Sequence, residues 1–193
     1  MVENARTRTL GAALQVFAEV GYDAVSVAEI RARAGVSNGS FFHHFGSKEG
    51  LAAALFLDGI ERYQADVLRH LHGAAQDARA GIAALIEGHL QWVEDNRPMA
   101  RFLFEQSGPA WSDPVAAKLA AANARFFGAI DGWRRPLVRA GALADVPGAV
   151  FFALLIGPAQ VLCRGWLTGQ LDRGPADYAG DLIAAAQAAL CVD

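Results

Sequence analysis

The sequence predicts an all-α chain in which an N-terminal three-helix helix-turn-helix domain, residues 1–48, is joined to a C-terminal helical bundle, residues 49–193. Three observations predict it. Two helix-start signals follow one another closely, Ser26 with Glu29 and then Ser37, with Gly35 between them as a left-handed stop. Beyond Leu51 apolar residues recur at three- and four-residue steps, and alternating β-branched runs are few. With 53% hydrophobic and 19% charged residues the chain groups with well-packed globular proteins, not disordered ones. No internal repeat or low-complexity linker divides it.

In chain order, the first ten residues, MVENARTRTL, lack the apolar stretch of a secretory signal, which predicts a cytoplasmic protein. Arg6 and Arg8 are expected in a frayed leader. A helix starts near Val27, because Ser26 and Glu29 have capping-box spacing, and ends at Gly35. Ser37 caps a second short helix, Asn38 to His44, which Phe45 and Gly46 close. Ser47 caps a third helix with Lys48 in its first turn. Phe41 and Phe45, four residues apart, should face inward, leaving Asn38, Ser40, Phe42, His43 and His44 outside.

That outer set suits DNA. Base edges in the major groove are met by amides, hydroxyls and imidazoles, and phosphates by hydroxyls, backbone N–H groups and lysine. Gly39 lets the backbone approach closely. The competing reading is a solvated helical hairpin within a larger bundle, since short motifs of this kind give false positives.

Residues 5–51 resemble the DNA-binding domain of TetR-family transcriptional repressors, through VFAEVGYDAVSVAEIRARAGVS, then GSFFHHF, then SKEGL. The resemblance implies that Ser26 holds phosphate at the start of the second helix and that Ser37, Asn38, Gly39 and Ser40 lie at the entrance of the recognition helix. It further implies that His43 and His44 reach base edges or backbone and that Lys48 holds a phosphate. One departure matters: the family usually has tyrosine where this chain has Phe42, so a hydroxyl is missing and the ring offers apolar contact, for instance to a thymine methyl.

The charge balance is modest for such a role. The formal net charge is −3. Within residues 1–48, Arg6, Arg8, Arg31, Arg33 and Lys48 stand against Glu3, Glu19, Asp23 and Glu29, a balance of +1. Helix N-termini and hydroxyls must then do part of the phosphate work, and sequence-blind affinity should be low at physiological salt.

Past the third helix start, Leu51, Leu55, Gly59, Tyr63, Val67 and Leu71 mark one long helix that acts as a lever. Ile82, Leu85, Ile86, His89, Leu90 and Val93 mark the next, ending near Asn96. Pro98 opens a short helix with Met99, Phe102 and Leu103 inward. After a turn from Gly108 to Pro114, a helix over roughly 114–140 carries Val115, Leu119, Ala122, Phe126, Ile130, Trp133 and Leu137, and Gly141 stops it.

Residues 146–163 contain no charge, so a membrane span must be weighed. Pro147, Gly148, Gly157, Pro158 and Gln160 interrupt the stretch and its flanks lack basic clusters, which favours a helix buried on several sides and no membrane partner. With the alanine-rich helix Ala176 to Leu190 it makes half of a four-helix dimer interface, as in the resembling family. The residues expected there are Phe151, Leu155, Pro158, Leu162, Trp166, Leu182 and Ala186. A twofold dimer would read palindromic double-stranded DNA with half-sites roughly 34 Å, or a multiple, apart.

The bundle carries more large rings than its size requires. His89, Trp92, Phe102, Gln106, Trp111, Phe126, Phe127 and Trp133 are the candidate lining of a cavity for an apolar or aromatic small-molecule effector that releases the repressor. The rival is a filled core, with a DNA-binding dimer controlled by abundance, thiol redox or a protein partner. Cys163 and Cys191 lack metal spacing and read as buried free thiols, a redox switch being the alternative. No nucleophile with base and orienter, no metal spacing and no phosphate-cradling loop is present, so neither an enzyme nor a cofactor is expected.

Overall fold

In a computed structural model, residues 4–74, 77–105 and 113–192 are described, Glu105 and Pro114 by backbone alone. The order is α1 Ala5–Val20, α2 Val27–Ala34, α3 Asn38–Phe45, α4 Lys48–His72, α5 Ala78–Asp95 and α6 Arg97–Glu105. A 3-10 turn Asp113–Val115 leads into α7 Ala116–Arg139, then come α8 Gly148–Leu167, a 3-10 turn Pro175–Tyr178 and α9 Ala179–Leu190. The protein is all-α, and the extended pairing found among the described residues is an isolated bridge between Leu143 and Cys191.

The helix ends follow from capping chemistry. Asn4 Oδ1 accepts from Thr7 N at 2.8 Å, so α1 starts at Ala5 and Arg6 and Arg8 are helical, not frayed. Ser26 Oγ accepts from Glu29 N and Ser37 Oγ from Ser40 N, each at 3.2 Å, satisfying N–H groups that the first turn leaves without partners. Gly35, at φ +62°, takes the left-handed position that ends α2.

The described residues form two compact units. One lies within Met1–Glu61 and Pro98–Ala120, the other within Arg62–Arg97 and Ala121–Asp193. In the first, Leu10, Val16, Ile30, Phe41, Leu51 and Leu55 are buried, and Phe102 stacks on Phe17 with centroids 5.9 Å apart. In the second, Ile82, Leu85, Ile86, Leu90, Ile130, Phe151, Leu155 and Leu190 are buried. There α5 lies so close to Trp133 that a β-carbon at Gly81 would overlap the indole.

Helix α8 is long and apolar enough to cross a membrane, with a mean hydropathy of 1.6 over 18 of its residues, yet only 28% of that stretch is buried within the chain. A single copy thus leaves part of α8 uncovered. Val150, Leu154 and Val161 stay exposed, Val161 by 72%.

Candidate nucleic-acid interface

Helix α3 is anchored by rings and presents polar groups outward. Phe41 is fully buried and Phe45 nearly so, 5.7 Å apart between centroids. Four-residue spacing puts both on one face, and the remaining positions then point to solvent. Ser37, Asn38, Gly39, His43 and His44 are exposed, Ser40 is half-buried and Phe42 is 47% exposed. Phe42 packs edge-on against Phe41 at 5.3 Å, and the His43 and His44 rings meet at the same distance. Ser26, exposed at the start of α2, uses its oxygen as a cap and keeps its O–H to donate.

Lys48 also reaches back to the turn before α2. Its Nζ donates to Tyr22 O at 3.0 Å and to Val25 O at 2.9 Å, and lies 4.3 Å over the Tyr22 ring. Hydrogen bonds from a charged donor are worth about 1.5–3 kcal/mol each, and these two use two of the three N–H donors of the ammonium. Burial pushes the Tyr22 phenol up to about 12, with Glu49 adding to the shift, and the phenol donates to Glu49 Oε1 at 3.5 Å. Two arginines are likewise occupied. Arg8 Nε donates to Ala34 O at 3.2 Å, and Arg33 bridges both Glu19 oxygens at 2.7 Å. With no lysine or arginine on α3 itself, the outer face offers phosphate hydroxyls, amide groups and imidazoles.

Residues 10–55 match the family of bacterial regulatory proteins, tetR family. The chain is a TetR-family transcriptional regulator. Among relatives of this TetR-family chain, the HTH-type transcriptional regulator BetI of Burkholderia thailandensis is 25% identical, aligned over 92% of this chain and 87% of its own length. The BetI of Stenotrophomonas maltophilia is 28% identical over 61% of this chain, so the match spans 60% of that protein. A solved structure, the transcriptional regulator FadR of Bacillus subtilis in complex with stearoyl-CoA, has a TM-score of 0.76 at 16% identity, covering 93% of this chain and 96% of that one. This last likeness concerns the TetR fold alone.

Of the predicted effector-site residues, three converge on a residue that the sequence placed only on the lever stripe. The Tyr63 hydroxyl lies 2.9 Å from His89 Nδ1, and its ring meets those of Trp92 at 5.1 Å and Phe126 at 6.3 Å. His89 Nε2 lies 3.7 Å from Cys163 Sγ. Burial holds His89 down at about 4, raises the Tyr63 phenol, and pushes the Cys163 thiol up to about 12, with Glu94 adding to the last. All three are neutral at physiological pH, and the Cys163 thiol is accordingly a poor nucleophile. Nearby, Gln64 Nε2 donates to Asn123 Oδ1 at 2.7 Å.

The other candidates disperse. Trp133 is buried against α5, its indole N–H without a hydrogen-bond partner among the described residues, and Phe127 is exposed with Phe152 at 4.7 Å. Phe102 belongs to the first unit, while Gln106 and Trp111 lie outside the described residues. A hollow of about 350 Å³ in the first unit is lined by Phe17, Tyr22, Arg101 and Phe102, and one of about 560 Å³ in the second by Phe127, Asp131, Arg134 and Phe152. Neither takes in His89 or Trp92.

The proposed dimer residues also divide. Phe151, Leu155 and Ala186 are buried inside the chain and offer no surface to a second copy. Pro158 is exposed, and Leu162, Trp166 and Leu182 are half-buried, with the Arg97 guanidinium 4.4 Å over the Trp166 ring. A helix apolar on all sides has no amphipathic face by which the sequence alone could choose the outward one. Of the two thiols, Cys163 is buried as expected whereas Cys191 is half-buried.

Proposed function

We propose that the protein is a homodimeric repressor that reads a palindromic operator in the cytoplasm with one α3 from each copy. The observation that carries this reading is the sidedness of α3, with Phe41 and Phe45 locked inward and Asn38, Ser40, Phe42, His43 and His44 turned outward. Asn38 suits an adenine edge, the hydroxyls and helix N-termini suit phosphate, and Phe42 suits a thymine methyl. The exposed apolar row Val150, Leu154 and Val161 supports pairing of two copies through α8, because water-exposed Val and Leu at helical spacing gain by being covered. The effector class this reading assigns is uncharged and largely apolar, since the Tyr63–His89 pair is neutral and ringed by Trp92 and Phe126. Effector and operator affinities must then be reciprocally coupled through two conformations of the dimer.

Retention of genomic fragments by the purified protein, sequenced at low and at physiological salt, tests the core of this reading. A recovered palindrome is the expected result; weak, sequence-blind and salt-sensitive retention overturns it.

A second reading, a DNA-binding dimer without a small-molecule effector, is favoured by the ring contacts that fill the space around Tyr63. Thermal shift against a panel of neutral apolar compounds and acyl thioesters separates the two. A saturable stabilisation that also releases the recovered operator supports the first reading, and a flat panel supports the second.

A further inference from the structure

Helix α3 carries no lysine, arginine or carboxylate, so His43 and His44, in its last turn, are its titratable side chains. Both are exposed, their ring centroids lie 5.3 Å apart, and His44 also meets Phe45 at 6.0 Å. Among the described residues, neither imidazole takes part in a hydrogen bond or an ion pair. The charged groups of the flanking elements are engaged elsewhere. Glu19 holds Arg33, Glu49 accepts from the Tyr22 phenol, Arg8 donates to the Ala34 carbonyl and Lys48 to those of Tyr22 and Val25. Arg6 on α1 and Glu29 and Arg31 on α2 form no bond with either histidine. All four ring nitrogens are thus left for a partner outside the chain.

A neutral imidazole offers one N–H and one lone pair, and the lone pair repels a phosphate oxygen. An imidazolium offers two N–H donors, a positive charge and no lone pair. Two such cations 5.3 Å apart oppose one another unless an anion lies beside them, and the phosphates of a duplex supply that anion. Protonation and DNA binding therefore favour each other. Imidazole is the side chain whose charge changes within the physiological range, so the exchange falls at ordinary pH.

We propose that His43 and His44 take up protons when the protein binds DNA and supply, as imidazolium, the positive charge that α3 otherwise lacks. This inference rests on the DNA-reading function proposed above. Linkage fixes its sign: the complex holds more protons than the free protein, so affinity rises as the pH falls through the imidazole range and is lost as the pH rises.

The test uses the wild-type protein and a duplex that it selects from a random pool, with binding measured at pH 6 and at pH 8 over a series of salt concentrations. Wild-type affinity should be about tenfold higher at pH 6, and the slope of log K against log salt steeper there by about 0.9 for each imidazolium set on a phosphate. The double variant His43→Gln with His44→Gln keeps hydrogen-bonding side chains at both positions, and its affinity should differ by less than about twofold between the two pH values, with one salt slope. His72→Gln, exposed at the end of α4, should behave as wild type. His89, held neutral down to about 4, takes up no proton over this interval. Wild-type affinity and slope that are the same at both pH values overturn the proposal, as does a pH effect that survives in the double variant. A double variant that binds no duplex is replaced by the two single ones, and a full pH effect in both overturns it. If the wild type selects no duplex at either pH, the DNA-reading function fails and this proposal with it, an outcome distinct from binding that ignores pH.

Discussion

His89 shows how far burial alone changes a side chain. Its imidazole is held neutral down to about 4, against an ordinary 6.5, because the protonated form would lose its water. The unfolded chain therefore binds the proton first as the pH falls. This group contributes full stability above about pH 6.5 and loses it progressively toward pH 4, a swing of about 3 kcal/mol for a shift of this size. Urea midpoints at pH 7 and pH 4.5 should show wild type losing roughly 2–3 kcal/mol more than His89→Gln over that interval. Equal losses in the two proteins would mean that His89 is solvated. The neighbouring Cys163 gives a second readout at this scale. Iodoacetamide should label Cys191 in the native protein and Cys163 only after unfolding, since burial raises the Cys163 thiol to about 12. Labelling of native Cys163 would reopen thiol redox as a control. On the DNA face, Asn38→Ala should blur sequence preference at one base pair by about 1–3 kcal/mol, with the salt slope unchanged, as read by binding to single-base variants of the recovered operator.

Glycines that look alike in the sequence have opposite value once the helices are placed. Gly11 lies exposed in α1 with none of the described residues near the space of a β-carbon, whereas Gly81 in α5 faces the Trp133 ring. Gly11→Ala should raise stability by about 0.5–1 kcal/mol through reduced chain entropy and better helix propensity. Gly81→Ala should lower it by about 1–3 kcal/mol, because a buried ring cannot give way without disturbing its neighbours. Calorimetry of the two variants checks the contrast, and equal shifts would refute the close approach of α5 to Trp133. The element boundaries themselves were largely legible, because Ser26, Gly35, Ser37 and Ser47 act within their own turns. The start of α1 is less legible, because it depends on the inconspicuous cap Asn4, whose bond to Thr7 makes Arg6 and Arg8 helical.

For the whole molecule, the outward row of α8 is the feature that a single copy leaves unfinished. Val161→Asp should give a folded monomer, with native helicity in circular dichroism and half the native mass in sedimentation, because its side chain is 72% exposed. Leu155→Asp should instead unfold the protein, since a charge there is buried without a partner. A folded dimer in the first case would exclude that face as the interface. Loss of DNA binding should accompany monomerisation, because one α3 reads only one half-site.

Helix type, helix order, the two-faced α3 and TetR-family membership were all fixed by local chemistry: spacing, caps and the phrase from Val16 to Leu51 suffice for them. Tertiary structure alone decided which way all-apolar helices turn, so that Leu155 points in and Val161 out. It alone brought Tyr63 to His89 from 26 residues away and the Lys48 ammonium to two backbone carbonyls. The physical reason is the range over which each choice is made. A cap or a helical period is settled within one or two turns, whereas desolvation, ring packing and the partner of a long side chain depend on whatever the rest of the fold places beside it.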